Sequence, residues 1–150
     1  MSITPGPLPD PDFKGFDILV DLRPRHVAER IGTVLPRLNV PMYGHGNTLC
    51  WKQVLRALHL LDTLLHRGSR VYLHCHHGIN RTGCVFILWH IRHGISYDDA
   101  VTRFKSIRGE VPRHTLLRWI RSHQHMVNDT PTLLQNADTY VTSRVSNSPK

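Results

Sequence analysis

Cys75 and Arg81, six residues apart, are the side chains best placed to do chemistry. They lie in the segment Val71-Tyr-Leu-His-Cys-His-His-Gly-Ile-Asn-Arg-Thr-Gly83. Its apolar start and glycine-containing middle predict a buried strand, a loop and then a helix. Backbone N–H groups of such a loop can point at one anion, and the helix behind adds the positive end of its dipole. The segment therefore predicts a binding site for a dianionic phosphoryl group.

Three side chains of this segment have a predicted catalytic task. The positive surroundings of the loop favour the thiolate of Cys75 over the thiol, which makes the sulfur nucleophilic. Arg81 can fold back, bind two phosphoryl oxygens with its planar guanidinium and balance charge in the transition state. Thr82 can donate a hydrogen bond to the Cys75 sulfur and stabilise it as a leaving group.

The remaining residues of the segment are predicted to shape the loop. Gly78 and Gly83 allow turn dihedral angles and close backbone approach. Asn80 can bond the loop to itself, and His74 can orient the loop from below. The predicted phosphate-binding residues between the nucleophile and the arginine are His76, His77, Gly78, Ile79 and Asn80.

Neither a metal nor another cofactor is expected. The cluster from His74 to His77 splays apart at a strand end, and no second Cys or His pair follows at zinc spacing. Three cysteines, an odd number, argue against a disulfide scaffold. Cys84 is interpreted as a buried apolar residue, whereas Cys50 could form a disulfide with Cys75 under oxidation.

The elements that must position the loop alternate between strands and helices. Strands are predicted at 16–21, 38–40 and 70–74. Helices are predicted at 25–35, from the N-cap Thr48 to 67, at 82–93, from the N-cap Ser96 onward, and from 112 or 115 to 126. This alternation indicates an α/β fold with a central, mostly parallel sheet flanked by helices. We expect an N-terminal arm at 1–15, one domain at 16–127 and a C-terminal tail at 128–150.

The composition is that of a globular protein that attracts polyanions. Apolar residues make up 40% of the 150 residues, and the formal net charge is +8 at pH 7. No apolar run is long enough to span a membrane, and no secretory signal is visible. We expect an intracellular protein, nuclear or cytoplasmic and not secreted, that acts as a monomer away from membranes.

The segment His74-Cys75-x5-Arg81-Thr82-Gly83 resembles the signature of the cysteine phosphatase superfamily. The full loop is most similar to that of the metal-independent RNA 5′-triphosphatases, including the capping-enzyme triphosphatase domain and its baculoviral and stand-alone relatives. His76 stands where that group usually has Thr. The resemblance implies a dual-specificity-like fold and a phosphocysteine intermediate.

Flanking segments extend this resemblance over about residues 17–122. They are Val20-Asp21-Leu22, Gly44-His45-Gly46 and Phe104-x-x-x-Arg108-Gly109 with Arg113. His45 is interpreted as a loop residue that supports the phosphate site. Arg108 and Arg113 could bind the additional charge of a triphosphate.

A missing general acid favours a polyphosphate substrate. Phosphatases of this superfamily usually protonate the leaving oxygen with an Asp on a loop before the cysteine. Between Ile31 and Arg70 the only carboxylate is Asp62, which lies inside a predicted helix. A terminal phosphate leaves readily as an anion, because its second pKa is about 6. His45 or Asp21 could still serve as an acid.

The sequence thus predicts an RNA 5′-polyphosphate phosphatase, a triphosphatase that could also be a diphosphatase. A role in mRNA capping or RNA processing would then require a guanylyltransferase or RNA-processing partner. The enzymatic alternative is a dual-specificity protein phosphatase or a phosphoinositide phosphatase. The non-enzymatic alternative is a module that binds 5′-triphosphate RNA without turnover.

Overall fold

A computed structural model describes residues 2–28, 35–43, 48–129 and 140–143. Within these ranges the strands are β1 (Ser2–Gly6), β2 (Ile18–Asp21), β3 (Arg37–Asn39), β4 (Arg70–His74) and β5 (Tyr140–Ser143). The helices are α1 (Arg25–Ala28), α2 (Trp51–His66), α3 (Asn80–Arg92), α4 (Tyr97–Arg108) and α5 (His114–His123), and a 3-10 turn follows at Gln124–Met126. None of the described helices is long and apolar enough to cross a bilayer.

The strands form one sheet in the order β1-β4-β2-β3-β5. Pairing is parallel from β1 to β3, and β5 runs antiparallel to β3. This confirms the predicted α/β fold with a mostly parallel sheet. Because parallel strands end at the same edge, the segment after β4 emerges beside the ends of β2 and β3, where ligands bind in such folds.

Both outer strands come from the ends of the chain, where the sequence analysis assigns no strand. The predicted N-terminal arm pairs with β4 along its length, from Ser2 opposite Arg70 to Gly6 opposite His74. Pro5 removes a ladder donor, which only an edge strand tolerates well, so this strand is hard to predict. In the predicted C-terminal tail, β5 pairs with β3.

The core lies where α2 and α3 pack on β4. The predicted leucine stripe of α2 is buried, including Leu58 and Leu61 at 0% exposure. Each such side chain contributes roughly 1.5–3 kcal/mol by burial. The predicted Thr48 cap is wrong, because the residue before α2 is Cys50, which makes no side-chain cap hydrogen bond.

The helices after the loop follow the sequence prediction closely. Ser96 caps α4, since its Oγ accepts a hydrogen bond from the amide of Asp99 at 3.1 Å, and Gly109 ends the helix at φ 80°. The helix predicted from residue 82 begins earlier, at Asn80. The predicted first helix is present from Arg25 to Ala28, and its continuation over 29–34 lies outside the described residues.

Candidate active site

The carbonyl groups of the loop after β4 are held from the outside. The carbonyl of His76 accepts from the Leu8 amide at 2.9 Å. Arg108 donates from Nη2 to the His77 carbonyl at 3.0 Å and from Nε to the Gly78 carbonyl at 3.2 Å. In a planar trans peptide the C=O and the following N–H point in opposite directions. The three N–H groups that follow these carbonyls therefore face inward, as an anion-binding loop requires.

Gly78 allows the N-terminal segment to lie against this loop. Its φ is 74°, a left-handed conformation that favours glycine. A Cβ at this position would overlap the Gly6 carbonyl oxygen. The Tyr72 hydroxyl holds the same segment by donating to the Pro7 carbonyl at 2.8 Å. The end of β1 is therefore part of the wall of the site, which the sequence analysis missed.

Cys75 lies at the base of the loop and is 4% exposed. The Thr82 hydroxyl, in the first turn of α3, donates to the Cys75 sulfur at 3.0 Å. A hydroxyl donor at this distance favours negative charge on sulfur, both in the thiolate and in a departing thiolate. The N-terminus of α3 directly follows the loop and adds the positive end of the helix dipole.

Arg81 is half-buried, and its Nε donates to the carbonyl of Met42 at 3.1 Å. This hydrogen bond fixes one edge of the guanidinium. The Nη groups find no further hydrogen-bond partner in the part of the chain that the structure describes. A phosphoryl group in the loop could therefore receive two parallel donors from them. His45, predicted to support this region, lies outside the described residues.

His74 lies below the loop and is completely buried. Its Nδ1 is 3.1 Å from the Cys75 carbonyl oxygen, which can only accept, so Nδ1 carries the proton. Burial lowers the pKa of His74, although the nearby Asp21 carboxylate opposes that effect. A neutral His74 with a fixed tautomer thus anchors the first carbonyl of the loop.

A buried charge cluster lies beside His74 at the ends of β2 and β3. Asp21 accepts from Arg23 Nη2 at 2.6 Å, and Arg37 Nη1 lies 3.7 Å from the same carboxylate. All three side chains are at most 3% exposed. The Asp21 carboxylate therefore joins two arginines and ties the strand ends together below the loop. The sequence analysis did not single out either arginine.

A cavity of about 560 Å³ lies next to the loop. It brings together Asn80 and the two arginines predicted to contact substrate, and the Asn80 side chain accepts from the Arg113 amide at 2.9 Å. Two donors of Arg108, however, bind the loop carbonyls, so this residue supports the loop itself. Glu110 also lines the cavity. Glu110 follows Cys75 in the sequence, whereas the acid of this superfamily usually precedes the cysteine, so the sequence pattern did not indicate it.

Neither of the other carboxylates considered as an acid can reach the loop. Asp62 accepts from Trp89 Nε1 at 2.9 Å, from Arg92 Nε at 2.8 Å and from His93 Nε2 at 2.7 Å. These partners lie at the far end of α3, roughly 14–20 Å along the helix axis from its first residue, Asn80. Asp21 is 0% exposed. Both carboxylates therefore have structural partners away from any leaving group.

Two further cysteines lie outside the phosphate loop. Cys50 is exposed and Cys84 is buried, and neither forms a disulfide. Burial raises the pKa of the Cys84 thiol, which makes this cysteine inert. In the described ranges, no three His, Cys, Asp or Glu side chains come close enough together to bind a metal ion.

Comparison with known proteins places this geometry in a family. Residues 12–126 match the catalytic domain of the dual specificity phosphatases. Human DUSP28 aligns with a TM-score of 0.70 at 15% identity, over 83% of this chain and 92% of that chain. PTPMT1 aligns at 0.64 and 13% identity, over 84% and 91%, and has also been solved with PI(5)P. A mutant form of Tk-PTP aligns at 0.60 and 20% identity, over 75% and 79%. No curated protein matches the chain.

Proposed function

The chain belongs to the dual-specificity phosphatase family and is a cysteine-dependent phosphatase, and on that premise we propose that its substrate is the 5′-polyphosphate end of RNA. Cys75 attacks the γ phosphorus in line, and the bond from phosphorus to the bridging oxygen breaks. The RNA diphosphate leaves as an anion. Water then attacks the phosphocysteine, which releases inorganic phosphate and returns the thiolate.

The loop geometry supports this reaction at each step. The inward N–H groups and Arg81 bind the equatorial oxygens of the transferred phosphoryl group. The hydrogen bond from Thr82 stabilises the sulfur when it leaves in the second step. The positive end of the α3 dipole lowers the cost of bringing a highly charged triphosphate into the loop.

The observation that carries the choice of substrate is that neither Asp62 nor Asp21 is placed to act as the general acid. Asp62 is bound to the far end of α3, and Asp21 is buried between two arginines. A serine, threonine or tyrosine oxygen leaves poorly without a proton. A diphosphate needs no proton, because its pKa is about 6. The net charge of +8 further favours a polyanionic substrate such as RNA.

Glu110 supports the rival substrate class of phosphate monoesters. Its side chain lines the cavity beside the loop, where a carboxyl group could protonate a leaving oxygen. PTPMT1, which shares this fold, has been solved in complex with PI(5)P. A phosphoinositide is therefore one specific candidate among the monoester substrates. Replacing Glu110 with Gln tests whether this residue is a general acid. The proposal expects unchanged release from triphosphate RNA, whereas an acid role predicts a large loss on the monoester.

The test compares substrates in EDTA at equal concentration. RNA labelled at the γ position is set beside a phosphotyrosine peptide and a phosphoinositide, with Cys75→Ser as the inactive control. We expect rapid, cysteine-dependent release from RNA and little from the others. Faster release from the peptide or the lipid would reject the proposal in favour of the rival. Tight binding of triphosphate RNA without release would indicate a binding module.

Analysis of the RNA product would place the enzyme in a reaction sequence. A 5′-diphosphate end is the substrate of a guanylyltransferase, so a partner of that class would complete a cap. A 5′-monophosphate end would instead feed an RNA-processing step. We propose that the phosphatase acts on either route as a monomer without a cofactor.

A further inference from the structure

A second cavity, of about 330 Å³, lies along α5. It is lined by Thr48, Thr115, Arg118, Trp119 and Ser122, and we name it the α5 groove. Arg118, Trp119 and Ser122 come three, four and seven positions after Thr115, so the four α5 residues lie on one side of the helix. Its volume falls within the range of small-molecule sites, which is roughly 300–1,000 Å³.

α5 and the residue directly before it contribute to the lining of both the α5 groove and the cavity beside the phosphate loop. Arg113, directly before the first residue of α5, lines the cavity beside the loop. Arg118 lines the α5 groove and lies roughly 7.5 Å further along the helix axis. Five positions place the two arginines on different faces of the helix, so an RNA strand that contacts both must cross α5.

From this arrangement we propose that the α5 groove binds the nucleotide that follows the 5′ end of the RNA. Arg118 contacts a phosphodiester, and Trp119 stacks on a base. This inference rests on the proposed function, because it assumes that the phosphate loop holds an RNA 5′ end.

Charge on α5 favours a polyanion. Arg113 and Arg118 are both exposed, and neither pairs with a carboxylate among the described residues. No Asp or Glu occurs between Val111 and Asn128. An acidic peptide would also meet this charge, but an indole ring in the groove favours a nucleotide base.

Two aromatic side chains pack against the Trp119 ring. Its centroid lies 4.2 Å from that of His123 in a stacked arrangement and 5.9 Å from that of Trp51. These neighbours brace the ring, while part of it remains accessible in the groove. Because every base has a flat π surface, such stacking tolerates any sequence and strengthens binding by roughly five-fold or more per base.

The experiment compares KM for γ-phosphate release from GTP, a triphosphorylated dinucleotide and a triphosphorylated pentanucleotide. We expect KM to be lower for the triphosphorylated dinucleotide than for GTP. Arg118→Glu should raise KM for the pentanucleotide relative to that for GTP, and should reduce the slope of log affinity against log salt by about 0.7. Trp119→Leu should raise the same KM ratio about five-fold.

Arg103→Glu is the matched control, because Arg103 is exposed on α4 and its replacement makes the same change in net charge. An equal effect of Arg103→Glu would mean that the groove has no local role and would overturn the inference. Equal KM values for GTP and both oligonucleotides would overturn it as well. Urea denaturation of each variant checks that Trp119→Leu remains folded, and Arg118→Glu tests the groove if it does not.

Binding of a 5′-hydroxyl pentanucleotide separates this inference from the proposed function. Fluorescence anisotropy measures that binding without any phosphate release. If Arg118→Glu loses this binding and Arg103→Glu does not, the α5 groove is supported, whether or not RNA is hydrolysed. Absence of RNA hydrolysis would reject only the proposed function. Hydrolysis of RNA with no binding of the 5′-hydroxyl oligonucleotide and no length dependence rejects the groove alone.

Discussion

A single backbone hydrogen bond from the N-terminal segment should tune catalysis. The Leu8 amide donates to the His76 carbonyl at 2.9 Å, and this bond helps to turn the next N–H inward. Leu8→Pro removes the donor and nothing else from the backbone, because proline has no N–H. The flanking Pro7 and Pro9 already favour an extended segment, so another proline fits the local conformation.

The expected magnitude follows from the net value of an amide–carbonyl hydrogen bond, about 0.5–1.5 kcal/mol. His76 is exposed, so water can replace part of the lost interaction. A loss of about 1 kcal/mol corresponds to roughly a five-fold lower population of the loop with its N–H groups turned inward. We therefore expect kcat/KM to fall about five-fold, with a similar weakening of vanadate inhibition.

The assay uses para-nitrophenyl phosphate, so that it does not depend on the RNA proposal. Leu8→Ala is the control, because it keeps the N–H and removes only the side chain. Urea midpoints of both variants show whether global stability has changed. Equal kcat/KM for Leu8→Pro and Leu8→Ala would refute the idea that this bond shapes the loop, as would a loss explained by unfolding alone.

Three further predictions concern the residues around the loop and α3. Thr82→Val removes the donor to the Cys75 sulfur, so breakdown of the phosphocysteine should slow roughly 10- to 100-fold and appear as a burst in rapid-quench kinetics. Burial lowers the pKa of His74 below its usual 6.5, so as the pH falls the unfolded chain binds a proton before the folded protein does. The free energy of unfolding should therefore decrease as the pH falls below about 6.5. The urea midpoints at pH 7.5 and pH 5.5 should differ less in His74→Asn than in the unmodified protein. Asp62→Asn should lower the free energy of unfolding in urea by about 1–2 kcal/mol, because the single amide oxygen cannot accept from Trp89, Arg92 and His93 together. An unchanged urea midpoint would contradict this.

The phosphate loop could be predicted because its information is local. Residues 74–83 are contiguous, and the strand, the glycine and the following helix are all visible in a short window. The Ser96 cap is local in the same way. The edge strand β1 is different, since Pro5 and Gly6 weaken any strand pattern and only pairing with β4 makes the segment regular.

The rest of the site could not be predicted, because it depends on contacts between distant segments. Arg23 and Arg37 share the Asp21 carboxylate only once β2 and β3 are adjacent in the sheet. The sequence likewise gives Arg108 a substrate role, whereas two of its donors bind the loop. No pattern along the chain reports which carbonyl an arginine will reach.

The inward-facing N–H groups of the loop also affect the resting protein. Three carbonyls are hydrogen-bonded outward to Leu8 and Arg108, so the N–H groups that follow them face the interior of the loop. Any tetrahedral dianion that enters satisfies these donors together and stabilises the fold by mass action. Inorganic phosphate, which every turnover releases, has that shape and charge. The protein is therefore expected to be inhibited by its own product and to melt at a higher temperature as phosphate accumulates.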